Sequence, residues 1–271
     1  MSHNAFLTST LRGFSNALSK ALMSERVSAQ PGILQKFDPR VRVLGVFILV
    51  LAAVICHRLL AIASIFALAL ALAITSRVSI GSLAKRVWWI VLAFTGLIAL
   101  PATFITPGHR LLALPWSLAI TAQGLRSAIL LILRVETAAT LTTILVLTTS
   151  WNHILKSLRF LGLPAEAITM LAMTHRYVFL LMESANQMFE SRQSRTIGKL
   201  SGQQQRALAS RTAGVLLSKS MDVSYDVYLA MMSRGFRGDI RLLTNFRMRS
   251  RDYVGLLAFI LIGLAAVWTG R

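Results

Sequence analysis

Apolar runs of near-bilayer length, joined by loops that are basic on alternate sides only, constrain this chain more than any other feature. The runs are 41–56, 59–75, 87–105, a stretch within 118–149, and 253–268. A crossing needs roughly 20 residues at ~1.5 Å of rise. Several runs are therefore near the short limit. Cys56-His57-Arg58 breaks the first apolar stretch into a hairpin of two. Hydrocarbon offers no partner to a free N–H or C=O, so spans of this kind must be helices. The expected fold is all-α: a polytopic membrane protein with about five transmembrane helices and a helical cytoplasmic region. Its expected divisions are 1–36, a basic amphipathic segment; 37–150, the first four spans; 151–250, helices at the cytoplasmic face; and 251–271, the last span.

The loops set the orientation. Lys and Arg number 6 up to and including Arg42, 3 in 76–86 and 14 in 151–250, against single arginines at 58 and 110. Excess positive charge marks cytoplasmic loops. The reading is N-terminus inside, five crossings, 151–250 cytoplasmic. At the first entrance Asp38 is placed to cap, Pro39 suits the first turn, and Arg40 and Arg42 mark the cytoplasmic edge. Residues 1–30 interrupt every apolar stretch with polar groups, so no secretory signal is expected. Residues 5–23 suit an amphipathic helix on the membrane surface.

Composition excludes several functions. The chain carries 29 Lys and Arg against 10 Asp and Glu, a net charge of +19, yet only 14% of residues are charged and 55% are hydrophobic. With mean hydropathy +0.63, the basic excess reads as membrane topology and not as nucleic-acid binding. The one cysteine, Cys56, excludes an internal disulfide or a cysteine metal cluster. His57, His109, His153 and His175 are scattered over different segments, so no metal site is expected. No Gly-rich phosphate loop ending in Lys-Ser/Thr occurs. The chain is not expected to hydrolyse ATP, to be an enzyme or to hold a cofactor.

Two intramembrane charges stand out in the fourth span, Arg134 and Glu136. They are two positions apart and point nearly opposite ways on a helix, so they are not each other's partner. The long polar region holds two similar tripeptides, Ser194-Arg195-Thr196 and Ser233-Arg234-Gly235. Each closes a helical pattern. The expected helices are 164–189, lying against or entering the membrane face, then 203–218 and 222–234, with Gly235 and Gly238 as stops.

These residues resemble a family. Asp38-Pro39-Arg40-Val41-Arg42-Val43-Leu44, Thr121-Ala122-Gln123-Gly124-Leu125 and Leu133-Arg134 look like its span-entry and mid-span motifs. Leu147-Thr148-Thr149-Ser150, Leu158 to Pro164, and Arg176-Tyr177 with Leu180-Leu181-Met182-Glu183 are similar to motifs that follow. Ser233-Arg234-Gly235 and, with Thr196 in place of Gly, Ser194-Arg195-Thr196 resemble its two Ala-Arg-Gly signatures. The family is the transmembrane T component of energy-coupling factor transporters, in the cobalt-type (CbiQ-like) branch.

The resemblance implies a non-catalytic subunit in a bacterial cell membrane. Its implied partners are two ABC-type ATPases, which dock on the two tripeptides, a small substrate-binding membrane subunit, and lipid. Met170, Met173, Met182 and Met188 are the implied face for the substrate-binding subunit. Arg134 and Glu136 brace the helices. The implied function is ATP-driven uptake of a micronutrient such as cobalt. Two other readings stand beside it. An autonomous transporter or channel calls for an internal repeat. A lipid-modifying enzyme calls for Arg134, Glu136 and His153 in one buried site.

Overall fold

The structure is a computed structural model that describes residues 32, 34–78, 80–105, 110–113, 119–195, 201–237 and 248–270. The expected amphipathic helix over 5–23 lies outside these residues, as do Thr196 and Gly238. Eight helices are labelled here: α1 Pro39–Ile55, α2 Leu59–Thr75, α3 Trp89–Ile105, α4 Ala122–Thr148, α5 Trp151–Phe160, α6 Ala165–Arg195, α7 Gly202–Ser233 and α8 Ser250–Gly270. A short turn Ile80–Leu83 and a π-helical turn Ala84–Trp88 lead into α3. The only strands among the described residues pair Arg110–Ala113 antiparallel with Ala119–Thr121, where the sequence suggests a plain loop. The fold is that of an all-α membrane protein.

Two compact units divide the chain. One combines Glu25–Ser157 with Asn245–Arg271, and the other includes Leu158–Thr244. The boundary falls inside α5, later than the division expected at 150.

The first unit packs α1, α2, α3, α4 and α8. Its surface is apolar where a soluble protein's is polar: Leu60, Trp89, Leu97, Leu264 and Trp268 are all exposed. Thr137, Thr140 and Thr148 are buried. That inversion fits lipid as the solvent. By length and composition, α4 and α8 are each sufficient to cross a bilayer. The other three span 17 residues each, roughly 25 Å of axis. The cap of α1 is as its sequence suggests. Asp38 Oδ1 accepts the N–H of Arg40 at 2.9 Å, and Pro39 opens the helix.

Helices α1 and α8 run parallel. Asp38 N donates to Asp252 at one end and His57 N donates to Gly270 O at the other. Glycines let them approach. A Cβ on Gly45 would strike the Phe259 ring, and one on Gly263 would lie 2.8 Å from Ile48 Cγ2. Small residues at such crossings are how membrane helices gain contact without a hydrophobic drive. Gly45→Leu and Gly263→Leu are each expected to destabilise the unit by about 1–3 kcal/mol through overpacking. Gly214 on α7, whose Cβ would meet nothing within 4 Å, is the control: Gly214→Ala leaves thermal unfolding in detergent unchanged or raised.

The second unit is built on α6 and α7, of 31 and 32 residues. The sequence suggests separate helices at 203–218 and 222–234; the structure joins them. Lys219-Ser220-Met221-Asp222 contains no Gly or Pro to stop a helix, and Lys219 and Asp222 are exposed. At the start of α7, Ser201 accepts Gln204 N while Gln204 Oε1 accepts Ser201 N, a reciprocal cap. The two long helices meet over a short stretch, not along their lengths.

Candidate functional site

Both serine–arginine pairs fall at the end of a long helix. Ser194 and Arg195 finish α6, and the Ser194 hydroxyl donates to Ser191 O at 2.8 Å. Arg234 is the C-cap of α7 and Gly235 follows with φ +76°. Gly235 N donates to Met232 O and Phe236 N to Met231 O, each at 3.0 Å. This is a Schellman closure, and it requires the left-handed conformation glycine adopts without strain. Because N–H groups beyond the helix satisfy those carbonyls, the Arg234 side chain is not consumed in capping. Arg195 and Arg234 are exposed, and neither side chain makes a hydrogen bond or ion pair among the described residues.

The two arginines do not converge on one site. Arg195 lines a cleft of about 760 Å³ between α6 and the N-terminal half of α7, reaching as far as Lys219. Arg234 lies a further ~22 Å along the axis of α7. Two separate cationic ends result. Sequence reasoning missed Arg211, which faces the same cleft from α7. Its register with Gln204 and Leu208 is the signal that was available.

The methionines are distributed differently from a single patch. Met170 is exposed, while Met173, Met182 and Met188 are half-buried. At ~100° per residue, Met173 and Met182 point to opposite sides of α6. Met188 lines the cleft.

In the membrane unit the sequence placed Arg42 at the cytoplasmic edge. The structure buries it at 7% exposure. Its guanidinium donates to Phe37 O at 2.9 Å, Thr148 O at 2.8 Å and Gln35 O at 2.8 Å. Three segments are tied there, including the last turn of α4. Asp252, also missed, is 2% exposed. Its two oxygens accept Asp38 N at 2.9 Å and Arg249 N at 2.8 Å. The sequence signals were an arginine at the edge of an apolar run, within the first turn of α1, and a lone acid among arginines.

Arg134 donates through Nη2 to Cys56 O at 2.7 Å, capping the end of α1. Glu136 is buried, and both its carboxylate oxygens lack a donor among the described residues. One turn on, Thr140 accepts Trp88 Nε1 at 3.2 Å. His153, on α5, is held below its ordinary pKa first by burial, then by the charges of Arg42 and Lys156, with Asp38 opposing. His153 therefore belongs to the Arg42 end of α1 and Arg134 to the Cys56 end, roughly 21 Å apart. No single site contains His153 and Arg134, so the lipid-enzyme reading loses its constellation.

The family model described as CbiQ, cobalt transport protein, matches residues 31–245. An uncharacterised protein of Methanocaldococcus jannaschii is 29% identical over 264 residues, covering 96% of this chain and 90% of that protein. The cobalt transport protein CbiQ of Rhodobacter capsulatus is 26% identical, covering 58% of this chain and 66% of its own. The energy-coupling factor transporter transmembrane protein EcfT of Listeria innocua is 27% identical, covering 79% and 84%. Because the family match runs from ahead of the first apolar helix through the ends of both long helices, the chain belongs to the CbiQ family, as a CbiQ-like transmembrane component of an energy-coupling factor transporter.

Proposed function

We propose that this subunit couples ATP-driven movement of two ABC-type ATPases to a small substrate-binding membrane subunit, for uptake of a micronutrient such as cobalt. The observation that carries the reading is the pair of exposed arginines, one at the end of each long helix, whose side chains are unbonded among the described residues. Paired ATPases offer two like grooves related by near two-fold symmetry. One chain that must grip both needs two docking elements set apart. A guanidinium suits the task because it bonds carboxylate or carbonyl oxygens in fixed geometry. Closure of the ATPases on nucleotide then moves the two helix ends together, a shift between two arrangements. ATP hydrolysis takes place in the ATPases. Met170 and the apolar residues beside it on the outer face of α6 offer an adaptable surface for the substrate-binding subunit. Arg134 braces the membrane unit through the end of α1.

Crosslinking tests the reading in the complex purified with its ATPases. Cys56 is buried, so a photo-crosslinker on a single Arg195→Cys or Arg234→Cys reports only its own position. Each is expected to capture an ATPase subunit. Capture of no ATPase from either position would remove the proposal.

A further inference from the structure

We infer that the cleft between α6 and α7 is a binding site for a phosphate-bearing anion, filled in the membrane by the headgroup of an anionic phospholipid. Arg192 and Arg195 face it from α6, and Arg211 and Lys219 from α7. Among the described residues that line it, none is a carboxylate. The nearest acids on α6 are turned along their own helix: Glu183 accepts Gln187 Nε2 at 3.3 Å, and Glu190 accepts Asn186 Nδ2 at 2.9 Å. Among the described residues, the side chains of Arg195, Arg211 and Lys219 make neither an ion pair nor a hydrogen bond.

Arg195, Arg211 and Lys219 bring like charge to one concavity, and an anion seated among them relieves that repulsion. A phosphate offers several oxygens to forked guanidinium donors at once. Serine and glutamine complete the polar wall: Ser184, Ser191 and Gln204 lie in the cleft and carry neutral donors, while Gln187 is bonded to Glu183. Inorganic phosphate alone leaves most of the ~760 Å³ empty. Met188, Ala207 and Leu208 add an apolar strip beside the cations. Cations next to an apolar strip match the join between a phosphate headgroup and its glycerol and acyl chains. Basic pockets of this kind on membrane proteins take anionic lipids.

The test uses the full chain in phosphatidylcholine nanodiscs and needs no ATPase, so it is independent of the coupling reading. Short-chain phosphatidylglycerol is titrated and bound lipid is counted by native mass spectrometry. Arg211→Gln with Lys219→Gln removes two cationic groups outside both serine–arginine pairs. Loss of the charge-assisted bonds is expected to weaken binding about tenfold or more. Arg211→Lys with Lys219→Arg, which keeps the charge, is expected to bind within about threefold of the native chain and controls for folding. A second arm adds inorganic phosphate during the titration. Lipid retained against millimolar phosphate supports the headgroup as occupant. Displacement by phosphate at such levels supports the anion site with free phosphate as its source, and overturns the lipid assignment. Equal lipid binding by the native chain and the Gln variant overturns the site.

Discussion

Arg42→Ala is expected to lower the stability of the membrane unit by about 3–5 kcal/mol, enough to cost most of the folded yield. The native guanidinium serves three carbonyls from two segments, Gln35 and Phe37 just ahead of α1 and Thr148 at the end of α4. Alanine leaves those acceptors without their donor in a site 7% exposed, and an unsatisfied buried acceptor costs roughly 1–3 kcal/mol. Whole-domain stabilities run only about 5–15 kcal/mol. Arg42→Lys is expected to fall between, because an ammonium on a flexible stem cannot reproduce the planar fork. Arg251, exposed at the entrance of α8, is the contrast: Arg251→Ala removes a positive charge from the same end of the unit with little effect. Thermal unfolding in detergent reads all three. An Arg42→Ala midpoint within a degree or two of native would show that the three carbonyls are served otherwise.

The second large effect is on assembly and transport. Arg195→Glu with Arg234→Glu is expected to abolish uptake while leaving the chain folded, since both side chains are exposed and neither is bonded among the described residues. A central interface arginine is commonly worth about 2 kcal/mol or more, roughly thirtyfold in affinity. Reversal adds repulsion against whatever oxygens receive the guanidinium. The single variants are expected to lose less than the double. Two linked contacts on one ATPase pair hold each other by effective concentration, so one surviving end still recruits its partner. Uptake is measured in cells expressing the full complex.

The sequence made the membrane unit legible because hydrophobic length and charge asymmetry report the solvent directly. The ends of α1, α2 and α8 fall close to the boundaries marked by Asp38-Pro39, Cys56-His57-Arg58 and Arg249. The continuity of α7 was less legible. A polar patch at Lys219–Asp222 looks like a break when no partner shows which side faces outward. The role of Arg42 was hidden for a different reason. An arginine at the edge of an apolar run reads as a topology marker until the last turn of α4 and the Gln35 and Phe37 carbonyls are brought to it. Those partners are distant in sequence or lie outside any periodic pattern. The serine–arginine ends were visible as a repeat, but their separation was not, because it depends on α7 being one unbroken helix between the cleft and Gly235.

Co-expression of the subunit with its ATPases, followed by affinity purification through the subunit, tests the central claim most directly. The account predicts that the native chain brings two ATPases and that Arg195→Glu/Arg234→Glu, recovered in equal amount and monodisperse, brings none. Recovery of both ATPases with the double variant at the native ratio would contradict it.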